Sequence, residues 1–235
     1  MKIPSRLENS PLIDCVIELR FETDLVKSAV FGVIYNCIKA EYPGIVHNLP
    51  ISQLPEQLRI SDPDLKYKPM YRLENEKTIL QIGSDVLCIS SKMPYIGWNS
   101  FYNITVDITK KVMALGFIKQ ISRVGFRYIN FIERDITDLL KMSFRLEGNT
   151  FNTLNIRTSI TKNGFTNNLF FSNDALFTQK KGSVIDIDTS KEYNDNSFYE
   201  NIEFELQTAH QCEKELFFSL LKDKLLQTFE PKYDE

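Results

Sequence analysis

The sequence is poor in the residues from which most catalytic and metal sites are built. Its 235 residues include two histidines and four cysteines. The cysteines, at positions 15, 37, 88 and 212, lie in apolar segments and form no C-x-x-C pair, so the spacing of zinc ligands or of a disulfide framework is missing. Only His47 and His210 could act as the base of a Ser-His-Asp or Cys-His arrangement. We therefore expect reduced, buried thiols and no cofactor.

The sequence also lacks the motifs that hold nucleotides, nucleophiles or zinc. Its nine glycines are scattered. None of them builds a G-x-x-x-x-G-K-[ST] loop, a G-x-G-x-x-G turn or a G-x-S-x-G elbow, and there is no H-E-x-x-H helix. These absences favour a non-enzymatic protein over an enzyme.

Long apolar runs and an excess of basic charge are missing too. No stretch approaches the roughly 18 consecutive apolar residues of a membrane span, and the N-terminus has no signal-peptide core. The formal net charge is -3, whereas nucleic-acid binding by counterion release uses clustered Lys and Arg. We therefore expect a cytoplasmic protein without a membrane partner, and nucleic acid is a disfavoured partner.

What the sequence does contain is a strand-like run at residues 122–130 that carries two arginines. Side chains alternate along a strand, so Arg123, Gly125 and Arg127 point to one side. The residues between them point to the opposite, apolar side: Val124, Phe126 and Tyr128. This pattern predicts a strand with a buried face and a basic face.

An N-terminal strand offers carboxylates to these arginines. Residues 12–22 alternate between apolar positions and a polar face that carries Glu18, Arg20 and Glu22. If the first and last strands of the N-terminal half are antiparallel neighbours, the two glutamates lie across from Arg123 and Arg127. Either the carboxylates neutralise the arginines, or the arginines bind an anion or phosphate. RNA binding is disfavoured, because charged residues occupy the face where stacking aromatics would be needed.

The fold is predicted to be α+β, and its first half, residues 1–134, is predicted to be a ferredoxin-like lobe with an extra strand. A helix capped by Thr23-Asp24 follows the first strand and runs to Ile38. Proline-rich residues 44–67 are predicted to be a long loop. Three short strands at 71–74, 78–82 and 86–90 precede a second helix from about Asn99, and the arginine-bearing strand completes the order.

The second half, residues 135–235, is predicted to be an antiparallel β-meander packed on a long C-terminal helix, and to share an interface with the first lobe. Asn163-Gly164 between alternating segments predicts a hairpin. Further strands are predicted at 176–179 and 184–188, with a turn at 180–182. A helical stripe then begins at Asn196 or Ser197 and lasts to about Phe229, with Ser219 able to cap a new turn after a break.

Outside the two arginines, four residues are candidates for a site. His210 lies on the flank of the C-terminal helix and is expected to pack or hydrogen-bond rather than to catalyse. Asp186 and Asp188 share a strand face and could hold a divalent ion with a third ligand, although a solvated face is the favoured interpretation. Trp98, at the start of the second helix, is either a staple against the sheet or part of an exposed aromatic interface, and we favour the staple.

Four short motifs occur in a fixed order along the chain. They are Asn9-Ser10-Pro11-Leu12, Tyr95-x-Gly97-Trp98, Arg123-x-Gly125-x-Arg127-Tyr128-Ile129-Asn130, and His210 before Leu216-Phe217. In this order they resemble a sporadically distributed bacterial family of uncharacterised proteins. The resemblance implies a compact accessory protein, with a patchy distribution that is compatible with defence or mobile-element genes, and it carries no catalytic residues over to this chain.

These observations leave three hypotheses. The first is a non-enzymatic cytoplasmic module that binds another protein through a charged sheet face, with Glu18, Arg20, Arg123, Arg127, Trp98 and His210 as its tentative binding residues. The second is a protein that binds nucleic acid or a nucleotide phosphate through Arg123 and Arg127. The third is a metal-dependent enzyme built around Asp186, Asp188 and His210.

Overall fold

The computed structural model describes residues 2–143, 147 and 151–234, which form an α+β protein as predicted. The elements follow the order of the chain. They are β1 (Arg6–Leu7), β2 (Leu12–Thr23), α1 (Lys27–Ile38), β3 (His47–Asn48), a 3-10 turn (Pro50–Gln53), α2 (Glu56–Ser61), α3 (Pro63–Lys66), β4 (Tyr71–Glu74), β5 (Thr78–Ile82), β6 (Val86–Ser91), α4 (Trp98–Met113), β7 (Ile118–Ile132), a 3-10 turn (Thr137–Leu139), β8 (Asn155–Lys162), β9 (Phe165–Phe177), β10 (Lys180–Glu192), α5 (Ser197–Glu200), α6 (Ile202–Leu220), α7 (Asp223–Leu226), a 3-10 turn (Gln227–Phe229) and β11 (Pro231–Lys232).

The contacts divide the chain into two compact units. Unit 1 comprises Met1–Asp14, Phe126–Thr189 and Thr208–Glu235, and unit 2 comprises Cys15–Gly125 and Ser190–Gln207. These ranges differ from a division after residue 134, because β2, β7 and β10 are long strands that each contribute residues to both units. Within the described residues, no helix has both the length and the apolar character to cross a membrane.

Unit 2 is a sheet with two principal helices. Its strands follow the order β3-β4-β5-β6-β2-β7, and the pairs β3–β4, β4–β5, β5–β6 and β6–β2 are antiparallel. The first strand, β2, therefore lies beside the last, β7, as expected. Its alternation is confirmed, because Cys15, Ile17, Leu19 and Phe21 are at most 2% exposed. A ferredoxin-like relationship stays a prediction.

Two local predictions for unit 2 are wrong. The predicted cap at Thr23-Asp24 does not start α1, because the Thr23 hydroxyl accepts a hydrogen bond from the Leu25 backbone N–H (3.0 Å) and donates one to the Phe117 carbonyl (2.7 Å). The helix starts later, with Val26 as its N-cap and no side-chain capping bond. Residues 44–67 are not a plain loop either, since proline begins or precedes a short helical turn at three places there.

Unit 1 packs part of the sheet on the C-terminal helices. Its strands follow the order β7-β10-β9-β8, and β8 and β9 pair antiparallel along eight residue pairs. One apolar cluster joins β7, β9 and β10 to α6 and α7, with Phe171, Ile185, Ile187 and Leu225 all fully buried. The predicted meander on a C-terminal helix is therefore present. The short pair β1–β11, which carries no alternation long enough to detect, was not predicted.

The sequence predicts two hairpin turns in unit 1, one from an Asn-Gly pair and one from Lys180-Lys181-Gly182. Asn163 and Gly164 have φ of 52° and 78°, so the predicted Asn-Gly turn between β8 and β9 is confirmed. The turn predicted at 180–182 is wrong. The chain reverses at Thr178 and Gln179, whose φ are 45° and 67° although neither is glycine. Gly182 lies inside β10, where a Cβ atom would lie 2.2 Å from the carbonyl oxygen of Ile132.

The C-terminal helix is interrupted rather than continuous. It consists of α5, α6 and α7, with breaks at Asn201 and at Leu221-Lys222. Leu221 forms an isolated β-bridge with Leu140, and the Lys222 N–H donates to the Leu139 carbonyl at 2.9 Å. A break near Ser219 is thus present, but Lys222 rather than Ser219 precedes the new helix.

Candidate functional site

Arg123 is held by Glu18 inside unit 2. Its guanidinium donates to Glu18 Oε1 at 2.7 Å, and the side chains are 14% and 24% exposed. A Cβ atom at Gly125 would lie 2.6 Å from the nearest Arg123 nitrogen, so the guanidinium lies over the glycine to reach the carboxylate. The glycine of the Arg-x-Gly motif therefore provides the space for this ion pair, and the predicted pairing of Arg123 with Glu18 is confirmed.

The same carboxylate oxygen also binds Arg20. Arg20 Nε donates to Glu18 Oε1 at 2.7 Å, and its guanidinium carbon lies 4.4 Å from the ring centroid of Tyr67. Two guanidinium groups thus share one acceptor atom, while one of them also contacts an aromatic face. The second glutamate, Glu22, is exposed and lines the cleft beside these groups.

A polar cleft of about 380 Å³ opens next to this cluster. Arg20, Arg123 and Tyr67 form part of its lining, and Tyr193 closes another side. The Tyr193 hydroxyl donates to the buried carboxylate of Glu205 at 2.8 Å, and burial raises the pKa of this phenol. The other residues that line the cleft are Glu22, Gln120, Ser122, Glu192 and Asn194. The cleft therefore carries both signs of charge.

Arg127 binds a carboxylate of β10, whereas the prediction placed it across from a glutamate of β2. It belongs to unit 1 and binds Asp186 bidentately, with Nε and Nη2 at 2.9 and 2.7 Å from the two carboxylate oxygens. The hydrogen bond to Asp186 raises the pKa of the guanidinium. The Arg127 side chain is 54% exposed, whereas that of Asp186 is 12% exposed. Asp186 lies on β10, which is the neighbour of β7 in the strand order of unit 1.

The candidate metal residues and the histidine have other roles in the structure. No three His, Cys, Asp or Glu side chains within the described part of the chain lie where they could share a metal ion. Asp186 is instead the partner of Arg127. His210 Nδ1 lies 3.2 Å from the Tyr128 hydroxyl. Burial, and secondarily Lys214, lowers the pKa of His210 to about 3, so the imidazole is neutral and part of the packing.

Trp98 begins α4 and lies within an aromatic surface of unit 2. Its indole Nε1 donates to Gln207 Oε1 at 2.9 Å, and its ring centroid lies 5.5 Å from that of Tyr102. Phe204, one turn before Gln207 on α6, is 69% exposed, and Tyr199 on α5 is 44% exposed. We call Trp98, Tyr102, Tyr199 and Phe204 the aromatic surface. Trp98 therefore links α4 to α6, and its two predicted roles, as a staple against the sheet or as part of an aromatic interface, stay predictions.

An ion pair keeps the helices that carry the aromatic surface together. Lys110 on α4 and Glu203 on α6 lie 2.6 Å apart, with both side chains half exposed or more. The Glu203 carboxylate raises the pKa of Lys110. Mixed charge beside exposed aromatic rings is the composition found at the rim of many protein interfaces.

Tyr67, Tyr199 and Phe204 are not among the residues that the sequence predicts for a site. Tyr67 lies in the segment predicted to be a loop, so no periodicity marked it. The two α5 and α6 residues were passed over because they fall outside the apolar stripe of the C-terminal helix. Aromatic residues at off-stripe helix positions are the signal that could have found them.

Comparison with known proteins adds no assignment to this geometry. No protein-family model matches the sequence, and no curated protein matches it. Function is therefore inferred from the side chains described above.

Proposed function

We propose that the protein is a non-enzymatic module that binds another protein through the aromatic surface. The observation that carries this proposal is the 69% exposure of Phe204 on α6, one turn before Gln207, whose side chain binds the Trp98 indole. Tyr, Trp and Phe are enriched in the cores of protein interfaces and dominate their binding energy. A cluster of such rings in water has a free-energy cost that a partner would remove by covering it.

The state of the arginines supports a binding role over phosphate chemistry. The guanidiniums of Arg123 and Arg127 each donate to a carboxylate, one to Glu18 and the other to Asp186. A phosphate would have to compete with these charge-assisted hydrogen bonds. The aromatic surface, on which Phe204 is 69% exposed, is therefore the better candidate for recognition.

The test is affinity capture of the tagged protein from cells of its source organism, with quantitative mass spectrometry. Wild type is compared with Phe204→Ala and with the matched control Val26→Ala, whose side chain is 67% exposed in the same unit. If Phe204 is an anchor, its truncation costs at least about 2 kcal/mol, or roughly 30-fold in affinity. We expect one protein to be retained by wild type and Val26→Ala and lost from Phe204→Ala.

Two results would contradict this proposal. One is a partner retained equally by wild type and Phe204→Ala, which would place recognition elsewhere. The other is the absence of any stable partner together with turnover of a nucleotide or nucleic acid by the purified protein. Phe204 is largely exposed, so its truncation is expected to change the free energy of unfolding by no more than about 0.5 kcal/mol. Thermal melts of both variants verify that loss of capture is not loss of fold.

A second candidate function is binding of a phosphate group in the cleft beside Arg20 and Arg123. The observation in its favour is that two guanidiniums, which share the acceptor Glu18 Oε1, both line this cleft and bring positive charge to it. The test is titration with a nucleotide and with single-stranded RNA at several salt concentrations. Affinity that is unchanged in the Arg20→Ala, Arg123→Ala double variant would eliminate this candidate.

Two broader expectations belong to the same proposal. A cytoplasmic location is supported by four free cysteine thiols, since a reducing compartment maintains that state. Membership of the sporadic bacterial family is proposed on the order of the four sequence motifs. Fractionation of native cells, with the protein recovered in the cytosol or outside it, tests the first of these.

A further inference from the structure

Strand β8 ends the strand order of unit 1, and its outer side carries no strand among the residues that the structure describes. It pairs with β9 without interruption from Asn155↔Ser172 to Lys162↔Phe165. Seven of its eight residues are exposed, and the eighth, Ile156, is half-buried. The strand at the other end of the nine-stranded order, β3, has only two residues. An edge of eight residues is thus long enough to accept a further strand.

The hairpin turn determines which backbone groups of β8 face the open edge. A two-residue turn closes on a pair that exchanges both backbone hydrogen bonds, so Lys162 directs its N–H and C=O toward β9. The Leu154 carbonyl accepts from the Asn173 N–H at 3.2 Å, which fits the same alternation. The even-numbered residues therefore bond to β9. The odd-numbered residues direct their backbone groups outward: Asn155, Arg157, Ser159 and Thr161.

The side chains of the even-numbered residues lie on the core face but are left uncovered. Ile156 and Thr158 are opposite Phe171 and Leu169 of β9, both of which are at most 2% exposed. Ile160 shares that face and is 42% exposed. An isoleucine on the core face of an edge strand gains burial when a neighbouring strand extends the sheet.

The usual protections of an edge strand are sparse here. Natural edges carry proline, bulges or several lysines that prevent pairing with another chain. β8 contains no proline, and its register with β9 shows no bulge. Its charged residues are Arg157 and Lys162. Lys162 is engaged by Glu215, which leaves Arg157 as the charge near the centre of the strand.

We propose that β8 pairs antiparallel with β8 of a second copy of this chain, about a two-fold axis at Thr158. Outward backbone groups pair only if odd-numbered residues meet odd-numbered residues. In the register centred on Thr158, Ile156 is opposite Ile160 of the second copy and Arg157 is opposite Ser159, so no like charges meet directly. The register centred on Ser159 would instead place Ile156 opposite Lys162. The sequence of the strand is therefore self-complementary in one register.

Sedimentation velocity across micromolar concentrations tests the pairing. Wild type is expected to shift from monomer to dimer as its concentration rises. Ser159→Pro removes an outward N–H without removing a bond to β9, and we expect it to raise the dimer dissociation constant at least about tenfold. Ser159→Ala keeps the N–H and should dimerise like wild type. Ile160→Lys should also be monomeric, whereas Leu176→Lys, at a more exposed leucine outside β8 (70% exposed), should dimerise.

Disulfide trapping tests the register. Residues at the two-fold axis form a pair without hydrogen bonds, with Cα atoms about 4.5 Å apart, which lies within the range that a disulfide spans. Mild oxidation should therefore crosslink Thr158→Cys, but neither Ser159→Cys nor wild type. A wild-type protein that stays monomeric, or a dimer that survives both Ser159→Pro and Ile160→Lys, would overturn the proposal, as would crosslinking through Ser159→Cys alone. Circular dichroism of each variant checks that its fold is retained.

Discussion

Glu213 makes the stability of the protein depend on pH in an unusual direction. It lies in α6 with 5% of its surface exposed, and burial raises the pKa of its carboxyl from 4.5 to about 8, although Lys214 acts in the opposite direction. A folded-state pKa above the unfolded value means that stability is complete below pH 4.5. Stability is then lost as pH rises toward 8, because only the unfolded chain releases the proton.

The magnitude follows from the size of the shift. Each pH unit between the two pKa values costs about 1.4 kcal/mol, so two units cost about 3 kcal/mol. Glu213→Gln cannot ionise and therefore escapes this loss. We expect the free energy of unfolding, measured by urea titration and far-UV circular dichroism, to fall less between pH 5 and pH 7 in the variant. The expected difference between the two proteins is about 2–3 kcal/mol.

A control on the same helix separates this effect from general charge removal. The hydrogen bond from Lys162 lowers the pKa of Glu215, so this group is ionised in both states between pH 5 and pH 7. Glu215→Gln should therefore keep the wild-type pH dependence. His210, whose pKa is lowered, opposes the trend below pH 6.5, but it is present in all three proteins and cancels. Equal pH dependence in wild type and Glu213→Gln would refute the reasoning.

Four further substitutions follow from backbone geometry and the ion-pair cluster, each measured by urea unfolding. Gly182→Ala should lower the free energy of unfolding by at least about 3 kcal/mol or prevent folding, because its Cβ would lie 2.2 Å from the Ile132 carbonyl oxygen. Gly32→Ala, which has open space around it, should instead raise the free energy of unfolding by about 0.5–1 kcal/mol. Gln179→Gly should raise the free energy of unfolding by about 0.5 kcal/mol, because Gln179 has a φ of 67°, which strains a residue with a side chain. A lower free energy of unfolding in this variant would contradict that reasoning. Glu18→Gln should lower the free energy of unfolding by about 1–3 kcal/mol, because two guanidiniums lose their shared carboxylate. The loss should be smaller at high salt, which screens the charges.

The alternation of side chains along a strand could be predicted from the sequence because it is a local property. The buried and polar faces of β2 and β7 follow from a period of two, and Val124 and Phe126 are at most 1% exposed as that period requires. The Asn163-Gly164 turn is equally local, because its positive φ values need those residue types. Turns that the sheet imposes on other residues, as at Thr178 and Gln179, leave no such mark.

The partners of the two arginines show where local patterns stop being informative. The sequence predicted that both would face carboxylates on β2. That holds for Arg123, which binds Glu18, but Arg127 binds Asp186 on β10. Each side of β7 has a different neighbour. Strand order depends on contacts between residues far apart in the chain, and no period within one segment encodes it.

The candidate site was missed for a related reason. A helical stripe identifies the residues that face the core, and Phe198, Ile202 and Leu206 are indeed at most 5% exposed. The same stripe says nothing about Tyr199 and Phe204, which project from other faces of α5 and α6. Apolar side chains off the stripe are exposed and add no buried surface to the core of a monomer. In a chain without a catalytic motif, those exceptions to the pattern are therefore more informative about function than the pattern itself.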